Sequence, residues 1–289
     1  MNDYLISATA FNSTVDIIAV ETTNISNMAK KIHNLSSLSN VVFGNTLTAT
    51  ILMSNFIKNK DENLTLIVNG NGTCGKIVST INANMEVKGY IENEKAEVTG
   101  NTLEKNIGIG NKGNIKVVKD MRLKEPYVGI TNIITGDIAQ DITYYYNCSE
   151  QIMSYLTIEE SLDSDNNINR MCGILIQVMP DVTHETIEYL KNNINKLELF
   201  KEMIEKGTKL EDIIIYMFSE ENIKIKNKRF CTYKCDCSEE KMKQGLISLG
   251  KEELLKIIKE DGSAELRCHF CNNRYNINKE ELEKMVKNM

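Results

Sequence analysis

Residues 234–238 read Lys-Cys-Asp-Cys-Ser, and residues 267–271 read Arg-Cys-His-Phe-Cys. Cys235 and Cys237 make a C-x-C pair, Cys268 and Cys271 a C-x-x-C pair, and thirty residues separate the two. A tetrahedral structural zinc site needs four soft ligands at one point, and two tight pairs supply them at little cost in loop entropy. Reduced free thiols are the alternative reading, weakened by finding two such pairs in one short segment. His269 lies inside the second pair and is a candidate to replace a thiolate. The cysteines already complete a set of four, which favours an all-cysteine site. The segment carrying them, residues 231–289, is short enough to bury only a modest core, and domains of this size often need a staple. One Zn2+ per chain is the staple this pattern predicts.

The other cysteines are scattered. Five of the eight fall between Cys231 and Cys271. Cys231, four residues before the first pair, reads as a strand or loop residue at the domain entrance rather than as a further ligand or disulfide partner. Cys74, Cys148 and Cys172 stand apart in sequence and read as small core hydrophobes. The N-terminus, MNDYLISATA, has neither a basic nor an apolar signal region. The most apolar stretch, Val41 to Ile57, is interrupted by Gly44, Asn45, Thr46, Thr48, Thr50 and Asn55, and is too short and polar to span a bilayer. These features predict a cytoplasmic protein with no membrane partner. In that compartment clustered cysteines point to metal or redox chemistry, not to a disulfide framework.

With 289 residues, 42% hydrophobic and 26% charged, the chain has a globular composition and length enough for a large core. A net charge of −6 excludes a basic nucleic-acid footprint at whole-chain level. Ten of the 16 glycines lie between Gly70 and Gly136, among short alternating runs such as Asn114 to Val118. Residues 1–180 therefore read as a β-rich domain with two inserted helices, Ile25 to Lys58 (broken near Leu35–Ser39) and Ile138 to Met153. An apolar strand from Cys172 to Val178 closes it before Pro180. In residues 181–230, Ile187, Leu190, Ile194, Leu197, Phe200 and Ile204 recur at helical spacing, and Leu210, Ile213, Ile214 and Met217 continue a second stripe. Such a helical linker has little bulk and must dock on something to be stable. In residues 231–289 the pattern predicts helices at Ser238–Gly245 and Lys251–Glu260, a hairpin over Ala264–Ile277 and a last helix from Lys279. The class is α+β: a β-rich N-terminal domain with inserted helices, a helical linker, and a small C-terminal zinc-binding α/β domain.

Other motifs carry less. Gly108-Ile109-Gly110-Asn111-Lys112-Gly113 matches G-x-G-x-x-G, but a strand-like run follows it where a dinucleotide site needs a helix. The three histidines, His33, His184 and His269, form no catalytic constellation, and no nucleophile elbow is present. The chain reads as a non-enzyme. Ser149-Glu150-Gln151 reads as a turn or inter-element contact, and the basic run Lys224 to Arg229 as a solvated strand or linker.

Taken together, Cys235-Asp236-Cys237-Ser238 with Glu240, and Cys268-His269-Phe270-Cys271 with Tyr275, closely resemble the redox-switch domain of the 33 kDa chaperonin family, the heat-shock protein 33 group of redox-regulated holdases. Val87 to Tyr90, Gly129, Gly136 to Asp141, Ser149 to Gln151 and Gly173 to Pro180 resemble that family's N-terminal domain, in the same order. The family usually has Arg where Lys88 stands, and Cys231 is an additional thiol.

The resemblance implies a reduced, zinc-bound, inactive form with Cys235, Cys237, Cys268 and Cys271 as ligands. It implies oxidation to Cys235–Cys237 and Cys268–Cys271 disulfides with loss of the zinc, unfolding of the linker, and ATP-independent binding of unfolding client proteins under oxidative stress. A homodimer, at least when oxidised, goes with activity. Two readings compete. A zinc-dependent nucleic-acid or transcription module is disfavoured because residues 231–289 carry 11 basic and 11 acidic side chains, and four thiolates around a dication would leave the domain negative. A thiol-disulfide oxidoreductase using Cys268 and Cys271 lacks the βαβ setting of that class.

Overall fold

The computed structural model describes residues 2–97, 105–193, 196, 198–218 and 223–289, which form two compact units, Met1–Tyr233 and Lys234–Met289. In the first, two sheets, antiparallel except where Thr232 and Tyr233 pair with Glu86 and Val87, enclose a helical layer. One sheet holds β1 (Tyr4–Ala10), β2 (Val15–Glu21), β8 (Ser154–Leu162), β9 (Ile168–Val178) and β10 (Lys224–Phe230), in the order β10-β1-β2-β9-β8. The other holds β3 (Asn63–Asn69), β4 (Ile77–Asn82), β5 (Glu86–Ile91), β6 (Asn114–Asp120), β7 (Tyr127–Asn132) and β11 (Thr232–Tyr233), in the order β11-β5-β4-β3-β6-β7. The α+β class expected from the sequence is the class observed.

The apolar stretch that begins at Val41 becomes the centre of this unit. Helix α2 (Ser37–Leu52) is buried at every position from Leu38 to Leu52, so it needs no polar face. Its threonines are tolerated because each hydroxyl donates to the carbonyl one turn back: Thr46 to Val42 (3.0 Å), Thr48 to Gly44 (2.8 Å) and Thr50 to Thr46 (2.8 Å). The break expected near Leu35–Ser39 is real. Helix α1 (Thr23–His33) ends on Asn34 in the left-handed region, and Ser36 caps α2 by accepting from Ser39 N. Both helices pack in one core with inner residues of the two sheets, among them Leu5, Ile18, Leu64, Leu66 and Leu175.

The second inserted helix is shorter than expected. Helix α4 (Ile138–Tyr145), capped by Asp137, passes into a π turn over Tyr146–Glu150 that ends on Gln151 at φ 56°. The π turn buries Tyr145 and Tyr146 and leaves Cys148 exposed, which corrects the reading of Cys148 as a core residue. Cys74 and Cys172 are fully buried, as expected. Glu150, in the Ser149-Glu150-Gln151 trio, accepts from Lys119 Nζ at 2.7 Å and from the Tyr145 hydroxyl, so the trio is an inter-element contact.

The G-x-G-x-x-G segment has the reverse of the dinucleotide order, with a five-residue helix α3 (Lys105–Ile109) running into its first two residues and β6 after it. Its backbone is used internally: Ile109 O accepts from Gly72 N at 2.9 Å, and Lys112 N donates to Gly70 O at 3.0 Å. A Cβ on Gly72 would sit 2.3 Å from the Ile109 carbonyl carbon, so this crossing of two loops requires glycine.

On the outer face of the first sheet lie α5 (His184–Asn193), α6 (Glu198–Glu205) and α7 (Leu210–Phe218). Phe200, Ile204, Leu210, Ile213 and Ile214 are buried there against Ile6, Ala8, Ile17, Ala19 and Ile174. The helical stripe thus finds the docking partner it needs; its Ile194 and Leu197 lie outside the described residues. Lys224–Phe230 forms a strand, β10, pairing antiparallel with β1.

The second unit has α8 (Glu239–Ile247), α9 (Lys251–Glu260), the hairpin β12 (Ser263–Arg267) and β13 (Arg274–Asn278), and α10 (Lys279–Lys287). Its core consists of Leu246, Leu254, Ile277, Leu282, Met285 and Val286. Among the described residues no helix is long and apolar enough to cross a membrane.

Candidate metal centre

Local structure places the four cysteines of the two pairs on two loops of the second unit. Cys235 and Cys237 lie in the irregular segment before α8, whose N-cap is Ser238. Lys241 ties that loop down by donating from Nζ to Asp236 O (2.9 Å) and to the Asp236 carboxylate (2.5 Å). Cys268 and Cys271 sit on the turn between β12 and β13. Asn272 N donates to Cys268 O at 2.8 Å, Cys268 N donates to Asn273 O at 2.9 Å, and Asn272 takes φ 60°.

These two loops bring all four Sγ atoms within 4.8 Å of one another. The separations between loops are 3.8 Å for Cys235–Cys268 and 3.3 Å for Cys237–Cys271. A tetrahedron with Zn–S arms of ~2.3 Å has edges of about 3.8 Å, so the donor set fits a zinc-sized ion in number, chemistry and spacing. His269 is not among the converging donors. Cys268 is buried and the other three are half-buried, a site closed by protein on one side and reachable by small oxidants on the other.

Tyr275, on β13, lies with its hydroxyl 3.1 Å from Cys237 Sγ. Burial alone pushes the Cys237 thiol up, but hydrogen bonds from Tyr275 and the neighbouring thiols outweigh it and hold the group below the ordinary value. Burial dominates at Cys271 and pushes it up to about 11. The protein's own hydrogen bonds therefore stabilise the Cys237 thiolate better than that of Cys271. Sequence reading had no signal for this role, because the Tyr275–Cys237 contact is formed only when the hairpin folds back on the C-x-C loop.

Cys231 belongs to the other unit. It is buried between β10 and β11, its N–H donates to Asp3 O at 3.0 Å, and burial pushes its thiol up to about 12. That matches its reading as a strand or loop residue.

Residues 3–278 match the family described as Hsp33 protein. The chain belongs to the Hsp33 family. It is 36% identical to the 33 kDa chaperonin of Acetivibrio thermocellus, over 99% of this chain and 98% of that one. It is 35% identical to the 33 kDa chaperonin of Clostridioides difficile over the whole of both chains. The crystal structure of the 33 kDa chaperonin (heat shock protein 33 homolog) of Thermotoga maritima superposes with a TM-score of 0.89 at 31% identity, covering 99% of this chain and 98% of that one. Membership of the Hsp33 family makes this a chaperone, with four clustered cysteines able to hold a metal ion as its distinguishing chemical feature.

Proposed function

We propose that the protein is a redox-regulated, ATP-independent holdase, inactive while reduced and zinc-bound and active toward unfolding clients after oxidation. The observation that carries this reading is the convergence of four sulfurs in a unit whose buried apolar core is six side chains. Cys235, Cys237, Cys268 and Cys271 are both its metal ligands and its redox groups. A bound Zn2+ would hold the four sulfurs as thiolates and contribute apparent binding free energy of ~10–16 kcal/mol to the folding of that unit.

Peroxide can remove those ligands in two balanced steps. In each, the two thiolates of a pair, Cys235 with Cys237 or Cys268 with Cys271, give two electrons to one peroxide, which takes two protons from the solvent. Its O–O bond breaks to give two waters as the S–S bond forms. The disulfide sulfurs no longer bear the charge that holds a metal, and a core this small cannot maintain the unit alone.

Functionally the chain divides into a chaperone core (1–180), a metastable linker (181–230) and a switch domain (231–289). Release of α6 and α7 would bare both their own apolar residues and the sheet face under Phe200 and Ile213. The combined surface is the chemistry an unfolding client matches. The setting is the reducing cytoplasm, where disulfides can be reset by thiols, and the oxidised form is a homodimer.

Light scattering of a heat-denaturing client tests the reading. Suppression by the peroxide-treated protein and none by the reduced, zinc-loaded protein is the expected result. Equal suppression by both forms would rule it out.

A further inference from the structure

Residues 224–233 supply an edge strand to both sheets of the first unit. Strand β10 lies antiparallel on β1, and, with only Cys231 between them, β11 lies parallel on β5, with Thr232 opposite Glu86 and Tyr233 opposite Val87. Beyond its backbone ladder with β1 and the Lys228 ammonium over the Tyr4 ring, side chains add little hold along most of this strap. No β10 side chain is buried, Ile225 and Phe230 are 46% and 64% exposed, and the register with β1 shifts at Ser7/Ala8. The ion pair of Lys228 with Glu211 is exposed at the Lys228 end and contributes little.

The hold is concentrated at the far end. The Tyr233 hydroxyl donates to Gly89 O at 2.9 Å. Its oxygen lies 3.0 Å from Nε2 of His33, which is 1% exposed. The hydroxyl thus bridges strand β5 and the His33 ring, and it also accepts from Gly89 N at 3.4 Å. Glu94 Oε1 lies 3.6 Å from the other ring nitrogen, and the Phe43 ring packs edge-on at 5.7 Å, which fix the imidazole in place. Cys231, two residues before Tyr233, is buried, and its N–H donates to Asp3 O at 3.0 Å. Lys234, the residue after it, begins the second unit.

We propose that Tyr233 is the latch of this strap. Through Gly89 O and His33 it sets how often residues 224–233 leave the two sheet edges, and Cys231 is the thiol that each opening uncovers. Losing the hydroxyl removes the hydrogen bond to the buried Gly89 carbonyl and the contact with the buried His33 ring, whereas the side chains of the strand before it are exposed and have little to lose. The latch does not depend on the zinc reading, because it is a property of the reduced, folded first unit.

The test is peptide-resolved alkylation of the full-length, reduced, zinc-loaded protein by excess iodoacetamide. Where opening is fast, the labelling rate of a buried thiol follows its opening equilibrium. Tyr233→Phe keeps the ring and should speed Cys231 labelling about five- to a hundredfold, the range that stranded buried partners produce. Cys74 and Cys172, deep in the same unit, should keep their wild-type rates. Should Tyr233→Phe fail to fold, His33→Leu is read in the same way. An unchanged Cys231 rate would overturn the proposal. So would an equal acceleration at Cys74 and Cys172, since that marks general loosening of the unit rather than release of a strap.

Discussion

At the residue scale, the second contact of Cys237 is with Tyr275, whose hydroxyl lies 3.1 Å from the sulfur. Partners that hydrogen-bond a metal ligand typically change metal affinity by ~10–100-fold when removed. Tyr275→Phe should weaken zinc retention by about that factor in a chelator competition while leaving the secondary structure of the first unit unchanged. Retention equal to wild type would deny the hydroxyl any part in the site. In the first unit, Gly129 faces Tyr145, and a Cβ there would lie 2.7 Å from the Tyr145 hydroxyl oxygen. Gly129→Ala should therefore cost about 1–3 kcal/mol of stability by overpacking, measured by denaturant unfolding of the reduced protein. The four converging cysteines were legible in the sequence as a candidate donor set because metal chemistry restricts residue types and spacing to a few patterns. Tyr275, Tyr233 and Glu150 gained roles only from folding, since each acts on a residue from another element. Cys148 was misread because nothing in its sequence marks the π turn that turns it outward.

At the element scale, helix periodicity revealed α6 and α7 and the need for a docking surface, but not which surface. That is settled by the outer face of a sheet whose strands come from both ends of the first unit. The strand character of Lys224–Phe230 was ambiguous for a related reason. Lys-Ile-Lys-Asn-Lys-Arg-Phe has no buried face, and it becomes a strand because β1 offers backbone partners along its edge. The α1–α2 break was readable because Asn34 and Ser36 are local stop and start signals. Ile213 is fully buried where α7 meets the sheet. Ile213→Ala should weaken that docking by about 2–5 kcal/mol. The expected outcome is faster amide exchange in α7 and measurable suppression of client aggregation by the reduced protein. Faster exchange with no gain in suppression would show that the surface under α7 does not bind clients.

At the scale of the whole molecule, the two units have unequal reserves. The first encloses a fully buried helix between two sheets, and the second relies on a core of six buried apolar side chains and four converging sulfurs. Removing metal from the reduced protein with a strong chelator should therefore unfold residues 234–289 and leave the fold of residues 1–180 in place. Hydrogen exchange read region by region checks this, and retained protection in α9 and α10 would contradict it. The central claim is that one set of four cysteines is both the staple and the switch. Its most direct test measures bound zinc, free thiols and holdase activity on the same sample before and after peroxide. One zinc and the four thiols of Cys235, Cys237, Cys268 and Cys271 should be lost together as activity appears. Activity that appears with the zinc retained, or that is already complete in the reduced form, would contradict it.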